Sequence, residues 1–226
     1  MTNYKPKIVL SLFVAFAAVG CLAQGNGALL PSNPIDSSRH VVVFLGDSLT
    51  AGDGVNSAEA YPSLVEQYWL KRGIPYVALN AGISGDTSAN VLQRIDKFID
   101  SSPALIVLAI GANDAFGRIP VETIKLNIAE TIKKARDKRC PIILSSMCFT
   151  SQILGGEAKY TANFNALYFE LGKQWKVPVL SPLLRSVWSR NELWLPDHMH
   201  PTAEGHRLIA RDILHDLNSE WVCSTD

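Results

Sequence analysis

Short apolar segments of strand length alternate with helical patterns along most of this chain, and this alternation narrows its possible folds more than any other feature. Between the segments, apolar residues recur every three or four positions, as they do on one face of a helix. Short connections between such elements favour parallel strands covered by helices. The strand-like segments are His40–Leu45, Tyr76–Asn80, Leu105–Ala109, Ile142–Ser146 and Val177–Leu180.

We therefore predict an α/β fold, a three-layer α/β/α sandwich with about five parallel strands and helices on both faces of the sheet. Thr202 is placed to cap the last helix. The helical patterns comprise Val91, Leu92, Ile95, Phe98 and Ile99; Val121, Ile124, Ile128, Ile132 and Ala135; Phe164, Leu167, Leu171 and Trp175; and Leu208, Ile209, Ile213 and Leu217.

Size and charge point to one globular domain without a nucleic-acid partner. The 226 residues are 47% hydrophobic, which suits a single sizeable core. Lys and Arg number 21, and Asp and Glu also number 21, so the formal net charge is zero. A balanced charge offers no electrostatic footprint for nucleic acid. We expect a monomer that acts on a small-molecule or lipid substrate.

The first residues resemble a secretory signal. Lys5 and Lys7 precede the apolar run 8–19, which is too short to span a bilayer comfortably. Ala18-Val19-Gly20-Cys21 resembles a bacterial lipobox, although Ala18 stands where Leu is usual. Lipidation of Cys21 would give a membrane-anchored lipoprotein, and cleavage after Ala23 would give a periplasmic protein. The chain is thus divided into a signal segment 1–23, a flexible tether 24–39 and a domain 40–226.

The remaining cysteines do not form an obvious pair or metal site. Cys140 and Cys148 flank an apolar run, and an extended chain between them would span roughly 25 Å, well beyond disulfide reach. Cys223 could pair with either or stay free. No Cys or His spacing matches a metal site, and we predict neither a metal nor a cofactor.

Polar residues follow the strand-like segments and should meet at one edge of the sheet, because open α/β sheets gather their sites at the carboxyl ends of the strands. The first segment runs into Gly46-Asp47-Ser48-Leu49. The second segment leads into Asn80–Thr87 and the third into Gly111–Asp114. A fourth polar block, Asp197–Pro201, directly precedes the last helical pattern.

These blocks supply the groups that acyl transfer requires: a nucleophile, a base, a group that orients the base, and donors for an oxyanion. Ser48 is the candidate nucleophile and His200 the candidate base. Asp197 lies three residues before His200, so one tight turn could place the two side chains together. Asn113 and the backbone N–H of Ser48 are candidate oxyanion donors. A Gly-x-Ser-x-Gly elbow is excluded, because Thr50 occupies the second glycine position.

The four blocks resemble those of the GDSL, or SGNH, hydrolases, and most closely the bacterial multifunctional acyl-thioesterase, lysophospholipase and arylesterase branch. The resemblance covers about residues 40–217. It implies a flavodoxin-like SGNH fold, a serine esterase without a cofactor, and Gly85 rather than Gly82 as the third oxyanion donor. The sequence departs from the usual Asp-Gly-Ile-His-Pro at His198 and Met199, which alters the rim beside the base.

In the resembling enzymes, the loop after the asparagine block flanks the acyl pocket, which implies a role for Asp114–Pro120. The predicted substrate-binding residues are Phe116, Ile119, Met147 and Met199. Apolar walls favour acyl or aryl esters, thioesters or lysophospholipids. An alternative is a carbohydrate or peptidoglycan O-acetylesterase, in which Trp188 and Trp194 would stack on sugar rings. A second alternative is a non-catalytic binding lipoprotein.

Some neighbours of these residues are expected to be structural. Asp47 would hold its turn through backbone hydrogen bonds, and Asp114 would also be structural. We expect His198 at the rim of the site or on the surface. His206 lies in the last helical pattern, where a histidine is usually exposed.

Overall fold

The structure is a computed structural model that describes residues 40–222, with side chains described for residues 40–218. The predicted signal segment 1–23, the tether 24–39 and Cys223 lie outside the described residues. The strands form one five-stranded parallel sheet in the order β2-β1-β3-β4-β5. Their bounds are β1 His40–Gly46, β2 Tyr76–Gly82, β3 Leu105–Ala109, β4 Ile142–Ser145 and β5 Val179–Leu180.

The register aligns the carboxyl ends of β1, β2 and β3, which are neighbours in the sheet. Gly46 at the end of β1 pairs with Gly82 at the end of β2 and with Ala109 at the end of β3. The chain therefore leaves all three strands at one edge of the sheet. β1 is the first strand and lies between β2 and β3, so the direction of winding reverses there. Open α/β sheets bind ligands at such a reversal.

Helices cover both faces of this sheet. Because βαβ connections are right-handed, the helix between β1 and β2 lies on the opposite face from those that follow β2, β3 and β4. Accordingly α2 packs against α8, whereas α6 packs against both α3 and α7. The bounds are α1 Ser48–Ala51, α2 Tyr61–Lys71, α3 Ser88–Arg94, α4 Asp96–Ile99, α5 Ala112–Phe116, α6 Val121–Asp137, α7 Ala158–Trp175 and α8 Ala203–Val222. The predicted three-layer sandwich is confirmed.

The central strands are buried on both faces, as expected for a parallel sheet between two helical layers. All five residues of β3 and all four of β4 are buried. The long helix α6 buries the predicted stripe on its sheet-facing side and exposes charged residues on the other. The oxygen of Thr202 accepts a hydrogen bond from the Gly205 N–H, so the predicted cap of α8 is present.

Two helical features differ from the prediction. Helix α2 was not predicted, although Tyr61, Leu64, Val65, Tyr68 and Trp69 have helical spacing and a proline lies in the first turn. The single helix predicted over residues 91–99 is divided into α3 and α4, which meet at Ile95.

Cys140 is buried and Cys148 is exposed, and no disulfide joins the two in the described part of the chain. Burial raises the pKa of the Cys140 thiol to about 11. In the part of the chain that the structure describes, no helix combines the length and apolar character needed to cross a membrane.

Candidate active site

Ser48 is the first residue of α1 and follows β1 after a single intervening residue. That residue, Asp47, is fully buried, and its Oδ1 accepts a hydrogen bond of 3.0 Å from the Leu49 N–H, which caps α1. Burial is the main reason that the pKa of Asp47 is raised to about 7. Asp47 thus holds the turn that presents Ser48, as expected from the sequence.

The side chains of Tyr61 and His206 support α1 from the neighbouring helices α2 and α8. The hydroxyls of Thr50 and Tyr61 share a buried hydrogen bond of 2.9 Å. The Tyr61 ring stacks on the His206 ring, and Nδ1 of His206 accepts a hydrogen bond of 3.3 Å from the Tyr61 N–H. His206 is 1% exposed, so the prediction of a surface histidine is wrong. Its side of α8 faces α2, the helix that the sequence pattern left unassigned.

Gly82 provides space for α1 at the end of β2. A Cβ atom on Gly82 would lie 2.2 Å from the backbone nitrogen of Ala51. Only glycine allows the backbone of β2 to approach the helix that begins with Ser48 this closely. Gly82 therefore has a packing function, whereas Gly85 lies in the loop beyond it.

Asp197, His200 and Ser48 form a continuous hydrogen-bonded chain. His200 Nε2 lies 2.9 Å from Ser48 Oγ, and His200 Nδ1 lies 2.7 Å from Oδ2 of Asp197. The other carboxylate oxygen, Oδ1, accepts hydrogen bonds from the N–H groups of Met199 and His200. The tight turn predicted from the spacing of Asp197 and His200 therefore brings their side chains together.

The carboxylate of Asp197 is ionised at neutral pH. The hydrogen bond from the His200 N–H, then that from the His200 ring and that from the Met199 N–H, lower the pKa of Asp197 to about 2. An ionised carboxylate can only accept a hydrogen bond, so Nδ1 of His200 carries the proton. Nε2 then has a free lone pair directed at the Ser48 hydroxyl, the arrangement that a general base requires.

The candidate oxyanion donors lie beside this chain. One N–H of the Asn113 amide donates to the carbonyl oxygen of Asp86 at 2.9 Å, which leaves the second N–H for a ligand. Gly85 precedes Asp86 and has φ of +82°, a conformation that favours glycine. Neither the Ser48 N–H nor the Gly85 N–H donates a hydrogen bond to another residue in the described range 40–218.

Asp114 joins the loop that carries Asn113 to helix α3. Its two carboxylate oxygens accept hydrogen bonds from the Ser88 N–H at 2.8 Å and the Ser88 hydroxyl at 2.6 Å. Asp114 is 1% exposed, so it is a structural residue, as expected. The segment that the sequence suggested as a loop is partly the helix α5.

A cavity of about 300 Å³ opens beside Ser48 and Asn113. Phe116 and Met199, both predicted to bind substrate, line it, and so does His198 at its rim. Ile119 and Met147 are not among the described residues that line it. Met147 is 1% exposed in the core, and the Ile119 carbonyl accepts a hydrogen bond from the Tyr160 hydroxyl. The other lining residues are Leu49, Ala112, Phe149, Ile153, Leu184, Trp188, Asn191 and Trp194.

Aromatic rings form a continuous wall of this cavity. Phe149 contacts Phe116 on one side and Trp188 on the other, with ring centroids 5.4 and 5.6 Å apart. Trp188 in turn meets Trp194 edge to face at 5.8 Å. Leu184 and Asn191 lie in the segment before the Asp197 turn and were not predicted; only their proximity to the two tryptophans in sequence could have indicated them.

The described residues contain no group of three or more His, Cys, Asp and Glu side chains that could hold a metal ion. At the cavity, Ser48 contributes a hydroxyl and Asn113 an amide, and the His200 imidazole is hydrogen-bonded to that hydroxyl. These are the components of acyl transfer to serine.

Comparison with known proteins agrees with this geometry. An arylesterase of Vibrio mimicus is 27% identical over 177 residues, which cover 78% of this chain and 87% of the relative. The thioesterase 1/protease 1/lysophospholipase L1 of Escherichia coli K12 is 24% identical over 175 residues, covering 77% of this chain and 81% of the relative.

The psychrotrophic esterase EstA from Pseudoalteromonas sp. superposes with a TM-score of 0.76 at 22% identity, over 81% of this chain and 98% of that chain, and so shares the fold. The model of the GDSL-like Lipase/Acylhydrolase family matches residues 44–208. The resemblance drawn from the four sequence blocks is confirmed: the chain belongs to the GDSL-like lipase/acylhydrolase family and is a serine ester hydrolase.

Proposed function

We propose that this enzyme hydrolyses carboxylic esters and thioesters with apolar acyl or aryl groups, lysophospholipids included, through an acyl-enzyme formed on Ser48. The observation that carries the proposal is the hydrogen-bonded chain from Asp197 through His200 to Ser48 Oγ at the cavity. A serine hydroxyl is a weak nucleophile unless a neighbouring base accepts its proton.

In the first half of the reaction, Nε2 of His200 takes the Ser48 proton while Oγ bonds to the carbonyl carbon. The negative charge that forms on the carbonyl oxygen is stabilised by the N–H groups of Ser48 and Gly85 and the amide of Asn113. When the tetrahedral intermediate collapses, His200 returns the proton to the departing alcohol or thiol. The acyl group remains bonded to Ser48 Oγ.

In the second half, a water molecule gives a proton to His200 Nε2 and attacks the acyl carbon. The second tetrahedral intermediate releases the acid, and the proton returns to Ser48 Oγ. Asp197 stays ionised throughout, because its pKa is about 2. Its negative charge stabilises the imidazolium that exists in each half of the cycle.

The cavity wall supports a preference for apolar acyl or aryl groups over acetate. Its side chains include four aromatic rings in successive contact, those of Phe116, Phe149, Trp188 and Trp194, and several aliphatic chains. Such a wall gains free energy by burying apolar substrate surface, about 25 cal/mol for each Å² removed from water. An acetyl group offers little of this surface.

A panel of p-nitrophenyl esters from acetate to dodecanoate, with acyl thioesters alongside, tests the proposal. We expect kcat/KM to rise from acetate to medium chains, and Ser48→Ala to abolish hydrolysis. Phe116→Ala should lower kcat/KM for the longer esters selectively. Leu126→Ala is the matched control, because Leu126 is exposed on α6, away from the cavity. A strict acetate preference would refute the apolar substrate class.

The second candidate is a carbohydrate or peptidoglycan O-acetylesterase, favoured by the presence of Trp188 and Trp194 in the same wall. Both rings could stack on sugar faces. The chain-length panel separates the two candidates, because an O-acetylesterase would cleave acetylated sugars and not the longer esters. A binding protein without activity would fail to react with a fluorophosphonate probe.

We also infer that the enzyme is exported, on the basis of Lys5, Lys7 and the apolar run 8–19. Cys21 is the proposed lipidation site, which would place the domain at a membrane surface on a tether of residues 24–39. Expression in bacteria with labelled palmitate tests this inference. Label that persists in Cys21→Ala, or that never enters the wild type, would contradict lipidation; full-length protein in the cytoplasm would contradict export.

A further inference from the structure

Arg94 contacts several segments around the candidate oxyanion donors, although it is not part of any motif of the family blocks. It is the last residue of α3, and its side chain is 13% exposed. Its Nε donates to Oδ2 of Asp86 at 2.7 Å. Its Nη2 donates to the carbonyl oxygens of Gly46 at 3.0 Å and Ala81 at 2.8 Å.

The three acceptors of Arg94 lie close in sequence to the donors of the proposed oxyanion hole. Ala81 belongs to β2, the strand that leads into the Gly85 loop. Gly46 ends β1 and lies two residues before Ser48. Asp86 directly follows Gly85, and its carbonyl oxygen holds the Asn113 amide. One guanidinium group therefore links the segments that carry all three donors: directly for Ser48 and Gly85, and through Asp86 for Asn113.

Arg94 also neutralises the negative charge of Asp86, which lies close to the proposed oxyanion donors. The Asp86 carboxylate is 11% exposed and lies one residue from Gly85. An unpaired carboxylate there would repel the negative charge that develops on the substrate carbonyl oxygen. Burial is the largest cause of the raised pKa of Asp47, and the nearby Asp86 carboxylate raises that pKa further. Arg94 is the ion-pair partner of Asp86.

The shape of the guanidinium group matters for these contacts. A planar fork can donate to a carboxylate and to two backbone carbonyls at once and in fixed directions. A lysine ammonium at this position could neutralise Asp86 but could not hold the same three acceptors in one plane. A change from Arg to Lys therefore separates orientation from charge.

We propose that Arg94 is a positioning residue that aligns the N–H groups of Ser48 and Gly85 and the amide of Asn113 for the transition state. The inference rests on the proposed function, since it concerns the donors of that reaction. Arg94 is not among the described residues that line the cavity, and its acceptors are Asp86, Gly46 and Ala81, so its effect on catalysis would pass through these segments. A misplacement of donors by about 1 Å costs about 100-fold in rate.

The test compares Arg94→Lys with the wild type on a medium-chain p-nitrophenyl ester. We expect kcat to fall by about 10- to 100-fold while KM changes by less than about twofold, because the donors act on the transition state and not on the bound ester. Arg136→Lys is the matched control: Arg136 donates to the Trp175 carbonyl oxygen, far from the cavity in the fold.

The inhibition constant Ki of a boronic acid is a second measurement, and a residue needed only for folding would not change it. Ser48 Oγ bonds to boron while its proton passes to His200, and one boron hydroxyl occupies the oxyanion position. We expect Ki to rise by the same factor by which kcat falls. If Arg94→Lys does not fold, Arg94→Met combined with Asp86→Asn leaves no unpaired buried charge and should give the same pair of changes.

Three outcomes would overturn the positioning function of Arg94: kcat and Ki both within twofold of the wild type, a fall in kcat without a rise in Ki, or a rise in KM alone. In each of these the wild type remains an active esterase. A wild-type protein that hydrolyses no ester and binds no boronic acid would instead overturn the proposed function, and the inference about Arg94 with it.

Discussion

Replacing His206 with asparagine should remove a titration that weakens folding in mild acid. His206 is 1% exposed, and its neutral Nδ1 accepts the hydrogen bond from the Tyr61 N–H. Burial is the main cause that lowers the pKa of His206 from 6.5 to about 4; the electrostatic effect of His200 lowers it further, and that of Glu59 opposes the change. A protonated Nδ1 could no longer accept this hydrogen bond.

The sign and size follow from proton linkage. Between pH 6.5 and about pH 4 the unfolded chain binds a proton at His206 and the folded chain does not. Stability therefore falls as the pH falls through this window, by about 1.4 kcal/mol for each pH unit. Over the whole window, the loss attributable to His206 is about 3 kcal/mol. Above pH 6.5 the contribution is fully present.

Titration of Asp47 changes the stability in the opposite direction, so a measurement on the wild type by itself would not reveal the loss caused by His206. Its pKa is raised from 3.8 to about 7, so the folded chain takes up a proton there as the pH falls. That uptake stabilises the folded state in much the same window. The informative quantity is thus the difference in unfolding free energy between the wild type and His206→Asn, because Asp47 is present in both.

Urea unfolding at pH 7.5 and at pH 4.5 measures this difference. Asparagine offers an acceptor oxygen near the position of Nδ1 but does not titrate. We expect the advantage of the wild type over the variant to shrink by about 2.5 kcal/mol between the two pH values, because pH 4.5 does not yet reach the lower end of the window. Leu126→Ala, at an exposed position of α6 and without a change in any titratable group, should leave its own difference unchanged. If the His206 difference stays constant within about 0.5 kcal/mol, His206 does not lose a proton on folding and the predicted linkage is wrong.

Three further predictions concern the turn geometry and the base. Gly82→Ala should destabilise the fold by about 1–3 kcal/mol and lower kcat, because the new Cβ would lie 2.2 Å from the Ala51 nitrogen; unchanged urea unfolding would contradict the close approach. His198→Gly should stabilise the fold by about 1 kcal/mol, because His198 has φ of +54°; an equal or lower melting temperature counts against this. Asp197→Asn should reduce kcat by about 10³- to 10⁴-fold with little change in KM, since the carboxylate that orients His200 is lost; steady-state kinetics showing less than a tenfold loss would argue that Asp197 is dispensable.

Local sequence carried much of the fold and the principal groups of the candidate site. Short apolar runs and period-3.6 patterns act within one element, so strands and long helices such as α6 could be predicted from neighbouring residues alone. The turn from Asp197 to His200 could likewise be predicted. Only two residues separate them, and a tight turn places the side chains of residues i and i+3 together. The strand ends then identified which blocks would share one edge of the sheet.

The direction of individual side chains was less accessible. Met147 and Phe149 both follow β4, yet the first is in the core and the second lines the cavity. His206 was expected at the surface, because a histidine in an amphipathic helix is exposed unless another element covers it. Here α2 does so, and its N-terminal N–H becomes the hydrogen-bond donor to the ring.

Two features follow from chain connectivity over a few residues and could be predicted: a serine leaves a buried strand on a tight turn, and an aspartate and a histidine reach each other within one segment. The 2.9 Å contact between His200 and Ser48 joins residues 152 positions apart and could be seen only in the folded structure. That structure alone revealed that Arg94 links β1, β2 and the Gly85 loop. Contacts of this kind depend on strand register and helix packing, which are set by the whole core and not by any local pattern.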